Sequence, residues 1–273
     1  MAKGVILGCT KFGKGYNYAC WSNLPIQKYN QMRILIISDI HANLTALEAV
    51  LSDAGQIDAV WCLGDLVGYG PDPNECIQRI QGLPGLVCLQ GNHDAAVSGK
   101  IDVTAFNNEA RMGVLWTRGE IEDQNKEYLQ GLETHAVVDS VYLVHGSPRE
   151  PIWEYIMDTR TALENFDHFD TPFCFVGHSH FPLKFQKRGE EYIADLSIPQ
   201  VGSPTTMIPR AIYNPGSVGQ PRDRDHRAAY ALYDSDRQTW TCHKVEYDIP
   251  SVQIRMRAAN LPERHIKRLG AGW

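Results

Sequence analysis

No stretch of this sequence is uncharged and apolar for long enough to cross a bilayer as a helix. The one apolar run near its start, Gly4–Gly8 (GVILG), is too short for the core of a signal peptide. Basic charge is not in excess either. With 26 Lys and Arg against 32 Asp and Glu, the formal net charge is −6, which argues against a broad electrostatic grip on nucleic acid or anionic membrane. No dedicated nucleic-acid-binding region is expected, although a local basic patch is compatible with this balance. Paired cysteine spacing is missing as well. The seven cysteines (Cys9, Cys20, Cys62, Cys76, Cys88, Cys174, Cys242) are odd in number and contain no CxxC. Cys62, Cys88 and Cys174 sit inside apolar runs, where a reduced thiol behaves as a small hydrophobe. A thiol-rich chain without paired spacing reads as cytoplasmic.

What is present divides at Met32. Residues 1–31 are rich in Gly, Asn, Tyr and Lys and show neither helical nor strand periodicity, so a poorly ordered N-terminal extension is expected there. The remaining residues, 32–273, are enough for one large domain.

From Met32 onward one pattern recurs five times: an apolar run of strand length ends at polar residues able to bind metal. RILIIS (33–38) runs into Asp39-Ile40-His41. AVWCL (59–63) runs into Gly64-Asp65. LVCLQ (86–90) runs into Gly91-Asn92-His93-Asp94, VYLV (141–144) into His145, and FCFV (173–176) into Gly177-His178-Ser179-His180. Helices are expected between the first strands. One follows an Asn43 N-cap with Leu44, Leu47, Leu51 and Ala54 on one face, and another spans Pro73 to Ile80. Strand–helix–strand alternation predicts a parallel sheet at the start of the fold, whose carboxyl-end loops form the ligand crevice. Five polar strand ends would then meet at one place. Gly64, Gly91 and Gly177 each precede a candidate ligand, where a missing Cβ permits a sharp turn and close backbone approach.

These blocks resemble those of the calcineurin-like metallophosphoesterase superfamily: D-x-H, G-D, G-N-H-[DE], a later H, and G-H-x-H, here in order between Met32 and Ser217. NPGSVGQPRD (214–223) is similar to a loop of the bacterial and archaeal phosphodiesterase-like branch. The resemblance implies an α+β fold: a four-layer αββα sandwich of two mixed β-sheets flanked by helices. It also implies two divalent or transition metal ions. Carried over residue by residue, Asp39, His41 and His180 would bind one metal, and Asn92, His145 and His178 the other. Asp65 would bridge both, His93 would act as a general acid beside the leaving group, and Asp94 would orient His93.

The chemistry suits such residues. An all-oxygen-and-nitrogen donor set fits Mn²⁺, Fe, Zn²⁺, Co²⁺ or Ni²⁺ better than Ca²⁺. Two such ions can share a hydroxide, lower its pKa and clamp phosphoryl oxygens during in-line attack. A general acid asks for an imidazole titrating near neutrality, which a carboxylate partner would favour. Arg222 can grip a phosphate bidentately, or can form a surface ion pair with Asp223 or Asp225.

Protein Ser/Thr phosphatases and diadenosine tetraphosphatases of the superfamily carry phosphate-holding arginines after G-D and before G-N-H. Here those stretches read Gly68-Tyr69-Gly70 and Gln90-Gly91, so a smaller phosphodiester or phosphomonoester, a nucleotide included, is the expected substrate. A non-catalytic binding scaffold on the same fold is the alternative from another class. A helical insert is expected over about 95–140, with Trp153 and Tyr155 nearby as packing or base-stacking groups. A single C-terminal helix with a solvated basic face is expected over about 250–269. His135, His168, His226, His243 and His265 lack any metal-binding context and are expected to be structural or exposed.

Overall fold

The computed structural model describes residues 32–189 and 192–273; the extension expected over residues 1–31 lies outside them. The first half runs β1 (Arg33–Ile37), α1 (Leu44–Ala54), β2 (Ala59–Cys62), α2 (Pro73–Gln81), β3 (Val87–Cys88) and α3 (Asn92–Ser98). Next come a 3-10 turn (Val103–Ala105), α4 (Asn108–Glu120), α5 (Asp123–Gly131), β4 (His135–Val138), β5 (Val141–Val144) and α6 (Thr159–Phe166). The rest is strand-rich: β6 (Phe173–Phe175), β7 (Pro182–Lys187), β8 (Ala194–Ser197), β9 (Thr205–Thr206), β10 (Ala211–Pro215), β11 (Ala228–Asp234) and β12 (Thr239–Val245). Two helices, α7 (Ile249–Ala258) and α8 (Glu263–Ala271), close the chain.

The strands form two six-stranded sheets, in the orders β3-β2-β1-β11-β12-β9 and β4-β5-β6-β10-β7-β8. Both are mixed: β1, β2 and β3 are parallel, as are β5, β6 and β10, while the remaining pairings are antiparallel. Alternation along each strand decides the layering. Ile34 and Ile36 of β1 face the second sheet, meeting Leu143, Phe173, Phe175 and Tyr213 in a core between the sheets. Leu35 and Ile37 face the other way and bury the apolar faces of α1, α2 and α3. On the outer side of the second sheet, Val144, Cys174, Val176 and Ile212 cover α6 through Leu163 and Phe166. The result is the expected αββα sandwich, with five strands ending at one edge of the two sheets.

Local signals hold at the first two helices. The Asn43 side chain caps α1 by accepting the Ala46 N–H at 3.1 Å, and Pro73 occupies the first turn of α2. Two expectations need correction. The insert is helical only to Gly131; its last residues form β4, an edge strand of the second sheet, because alternating His135–Val138 pair antiparallel with β5. The C-terminal helix is two, broken where Asn260 takes a left-handed φ of 54° ahead of Leu261-Pro262. Its basic face is not simply solvated: Arg255 reaches Asp72 at 2.9 Å and the Thr45 hydroxyl at 2.8 Å, tying α7 to the starts of α1 and α2. Among the described residues, the five cysteines are free thiols, and no helix is long and apolar enough to cross a membrane.

Candidate metal centre

Each turn that leaves a strand end is tight. Five of the candidate ligands, Asp39, His41, Asp65, His178 and His180, have left-handed φ between 55° and 63° or, for His41, 49°. Such strain in non-glycine residues gathers where surrounding structure over-determines the backbone. Here that structure is specific. Asp39 N–H donates to Gly64 O at 3.0 Å and His41 N–H to Asp65 O at 2.9 Å, lacing the first two loops together. Gly91 is required by contact: a Cβ there would lie 2.1 Å from Asp65 Oδ1. At Gly177 a Cβ would meet Ser38 Oγ at 2.0 Å. These glycines let the five loops close on each other.

Within this frame Asp39, His41, Asp65, Asn92, His93, His145, His178 and His180 come together, all nearly excluded from solvent. Four imidazoles are oriented the same way. His41 Nδ1 sits 3.2 Å from Val67 O, His145 Nδ1 3.0 Å from Leu63 O, and His180 Nδ1 2.6 Å from Gln220 O. His178 uses its other nitrogen, with Nε2 3.2 Å from Trp153 O. A carbonyl can only accept, so each of these nitrogens carries the proton, and the opposite nitrogen of each neutral ring presents a lone pair inward.

Those inward atoms crowd into two groups. His41 Nε2 and His180 Nε2 lie 3.3 Å apart, and His180 Nε2 is 3.3 Å from Asp39 Oδ1. His145 Nε2 is 3.2 Å from both His178 Nδ1 and Asn92 Oδ1. Asp65 Oδ2 lies between the groups, 3.4 Å from His145 Nε2 and 3.7 Å from His41 Nε2. Its other oxygen takes the His93 N–H at 2.8 Å, fixing the carboxylate. Facing lone pairs at such distances, together with Asp39 Oδ1 buried and without a hydrogen-bond partner, are what cations would satisfy. The donor set fits the implied metals: Asp39–His41–His180 and Asp65–His145–His178 are each compact enough to hold an ion.

The protonation pattern agrees. Burial pushes His41 and His180 well below the ordinary imidazole range, and His178 down to about 3. Burial pushes Asp39 up to about 6. His145 resists the same downward push because the Asp65, Asp39 and Asp94 carboxylates draw it up to about 9. Where no cation is bound, the inward nitrogen of His145 therefore takes a proton in its place.

Two expected roles are placed differently. Asp94 does not orient His93. Its carboxylate folds back over the first turn of α3 and accepts the N–H groups of Asp65 (2.8 Å), Leu66 (2.9 Å), Val67 (3.2 Å) and Gly91 (2.9 Å). Sequence adjacency to His93 masks this, because a carboxylate at the third helical position reaches the backbone preceding the helix. His93 Nδ1 is buried without a partner, packed where a Cβ on Gly68 would come within 2.3 Å of it. Burial lowers the His93 pKa to about 4 rather than holding it near neutrality. Arg222, by contrast, forms no ion pair with Asp223 or Asp225. Lys244 and Arg227 take those carboxylates, and Arg222 instead hydrogen-bonds Gln220 Oε1 at 2.9 Å over the Tyr69 ring.

Above the cluster lies a cavity of about 280 Å³ lined by Asp65, Asn92, His93, His178, His180 and Arg222, with Tyr69, Phe106, Trp153 and Tyr155 among its walls. Tyr155 stacks on His178 with ring centroids 3.8 Å apart, and Trp153 meets Phe106 edge-on at 5.0 Å. Several contributors carried no sequence signal. Tyr69 packs against His41, His93 and His265, so His265 is a buried structural residue from α8. Asn214 Nδ2 donates to Gly177 O at 2.7 Å and Ser179 Oγ at 3.1 Å, and Ser217 Oγ donates to Asp39 O at 2.9 Å. These two shape the ligand loops without facing the cavity.

A sandwich of this topology with this cluster at its strand ends defines a metallophosphoesterase fold. The chain belongs to the calcineurin-like phosphoesterase superfamily, whose domain profile matches residues 32–238. It is 37% identical over 246 residues, 88% of this chain and 98% of the relative, to an uncharacterized protein of Methanocaldococcus jannaschii. The crystal structure of a metallophosphoesterase from Sphaerobacter thermophilus is 48% identical and superposes with a TM-score of 0.82, covering 89% of this chain and all of that one. A hypothetical protein from Pyrococcus horikoshii shares the fold at a TM-score of 0.73 and 22% identity, over 89% and 99% of the two chains.

Proposed function

We propose that the protein is a dinuclear-metal phosphoesterase hydrolysing a small phosphodiester or phosphomonoester, nucleotides included. The observation that carries this reading is the orientation of four buried imidazoles. Each is anchored on a backbone carbonyl, and each turns its free nitrogen toward a carboxylate set that Asp65 joins. Asp39, His41 and His180 would hold one ion, Asn92, His145 and His178 the other, with Asp65 shared; the all-O,N set suits Mn²⁺, Fe, Zn²⁺, Co²⁺ or Ni²⁺. When bound, two such ions supply Lewis-acid activation of water and neutralise charge on the phosphoryl group.

The remaining work falls to the chain. Arg222, free of any carboxylate partner among the described residues, offers its guanidinium to phosphate oxygens. His93 is neutral before substrate arrives, since burial holds it at about 4. An incoming phosphate favours the imidazolium, the form able to protonate the departing oxygen. Asp94 acts through position, fixing the loop that carries Asp65. The missing phosphate-holding arginines around Gly68–Gly70 speak against phosphoprotein and diadenosine-tetraphosphate substrates. A scaffold that had lost catalysis would be expected to lack ligands, and this cluster lacks none.

The test pairs Asp65→Asn with His93→Ala, using an aryl phosphodiester and metal analysis of the purified proteins. Both variants should lose hydrolysis. Asp65→Asn should lose metal while His93→Ala keeps it, and equal metal content in the two would overturn the assignment.

A further inference from the structure

A second cavity lies away from the metal centre, where the inter-sheet core opens at the free edges of both sheets. Strand register builds it. On the second sheet Tyr213 of β10 stands opposite Lys184 of β7, and Lys184 stands opposite Ser197 of β8. Directly paired residues share a face, and Tyr213 belongs to the core between the sheets. On the first sheet Trp240 of β12 pairs with Thr205 of β9 and points into the same core. These residues, roofed by Ile198 and the chain after it, enclose about 170 Å³.

Two polar groups here lack partners. Tyr213 is fully buried, and its hydroxyl has no hydrogen-bond partner; a native structure rarely leaves such a group unused. Lys184 is half-buried, with its ammonium 5.6 Å from the Tyr213 ring centre, and no carboxylate among the described residues pairs with it. The Trp240 and Tyr213 rings, 5.0 Å apart and tilted by 35°, form an aromatic floor, and Ile198, 75% exposed, an apolar rim.

We propose that this cavity is a binding site for a small aromatic carboxylate. One ammonium flanked by neutral hydroxyls balances a single negative charge, whereas a phosphate dianion would leave one charge uncompensated in a half-buried place. The volume is below the roughly 300 Å³ at which drug-sized sites begin, which limits the occupant to about one ring. The inference is independent of the phosphoesterase reading, since none of these residues touches the metal cluster. It does reach the cluster indirectly. Tyr213 precedes Asn214, whose side chain clamps the loop bearing His178 and His180.

Calorimetric titration of the full chain with benzoate tests the proposal, with neutral benzamide as control. Benzoate should saturate one site per chain, and benzamide should not compete. Lys184→Met and Tyr213→Phe should each weaken binding by roughly tenfold or more, the worth of a hydrogen bond to a charged group. Tyr213→Phe keeps the ring, so its fold is secure. Arg222→Ala should leave benzoate binding intact. Absence of saturation, as when a second copy of the chain closes the cavity, would overturn the proposal. So would equal affinity in Lys184→Met, or loss of binding in Arg222→Ala, which would place benzoate at the metal centre.

Discussion

Removing the Asn214 side chain should show how far the metal loop depends on a residue that touches no ligand atom. Asn214 is 1% exposed, and three hydrogen bonds converge on its amide. Its Nδ2 donates to Gly177 O (2.7 Å) and Ser179 Oγ (3.1 Å), and its Oδ1 accepts the Gly216 N–H (2.8 Å). In Asn214→Ala, Gly177 O keeps a second donor, the Ser179 N–H at 2.7 Å. The Gly216 N–H loses its partner in a buried place, whereas Ser179 Oγ still accepts the Phe181 N–H at 3.4 Å. At about 1–3 kcal/mol for a stranded group, the variant should lose about 1–3 kcal/mol. For a chain of this size that is a fall in Tm of roughly 2–8 °C. Unfolding followed by circular dichroism in chelator measures this without the contribution of bound metal. The second readout is metal affinity. His178 and His180 flank Ser179, so loosening this loop should weaken metal binding by about 10–100-fold, as loss of an outer partner typically does. A destabilisation below about 1 kcal/mol together with unchanged metal affinity would refute the reasoning.

Other substitutions probe other parts of the frame. Gly91→Ala places a methyl 2.1 Å from Asp65 Oδ1 and 2.4 Å from its backbone N. It should abolish hydrolysis and cost about 1–3 kcal/mol by overpacking, measured by assay and denaturation together. Arg222→Ala should raise KM for a phosphate ester by roughly tenfold or more with Tm unchanged, and Arg222→Lys should recover only part of it. Glu154 gives a pH prediction. Against burial, which pushes it up, hydrogen bonds from Arg149, Asn165 and Ser147 hold its carboxyl at about 2, below its ordinary 4.5. Because the folded pKa is depressed, its stabilising contribution is complete above about pH 4.5 and disappears as pH falls toward 2. Glu154→Gln should therefore flatten the acid limb of stability measured by denaturant titration over that window.

The sequence disclosed the ligand set because of a regularity of parallel sheets. Apolar runs end where ligands belong, so Asp39, Asp65, Asn92, His145 and His178 could each be found at the end of a countable strand. It did not disclose what orients them. The partners of the four imidazoles are the carbonyls of Leu63, Val67, Trp153 and Gln220, and every residue has a carbonyl. Chain proximity misdirected one reading and left another open. Asp94 sits beside His93 in the chain, yet its four backbone donors are Gly91 at the helix start and Asp65, Leu66 and Val67 in the loop after β2. Asp223 and Asp225 looked like partners for Arg222, but Lys244, on β12, takes both. The break between α7 and α8 was visible in Asn260-Leu261-Pro262, but the apolar periodicity on both sides obscured it. Tyr69 carried no motif, because an aromatic ring between two glycines reads as a turn until tertiary contacts set it edge-on to His41 and tilted against His93.

Metal reconstitution tests the central claim most directly. Chelated, metal-free protein is titrated with Mn²⁺ or Fe²⁺ while hydrolysis of an aryl phosphodiester is followed and bound metal is counted. The account predicts no activity without metal, recovery that reaches its plateau at two equivalents per chain, and no recovery in Asp65→Asn. Full activity in the metal-free protein, or recovery in Asp65→Asn equal to that of the unaltered chain, would contradict it.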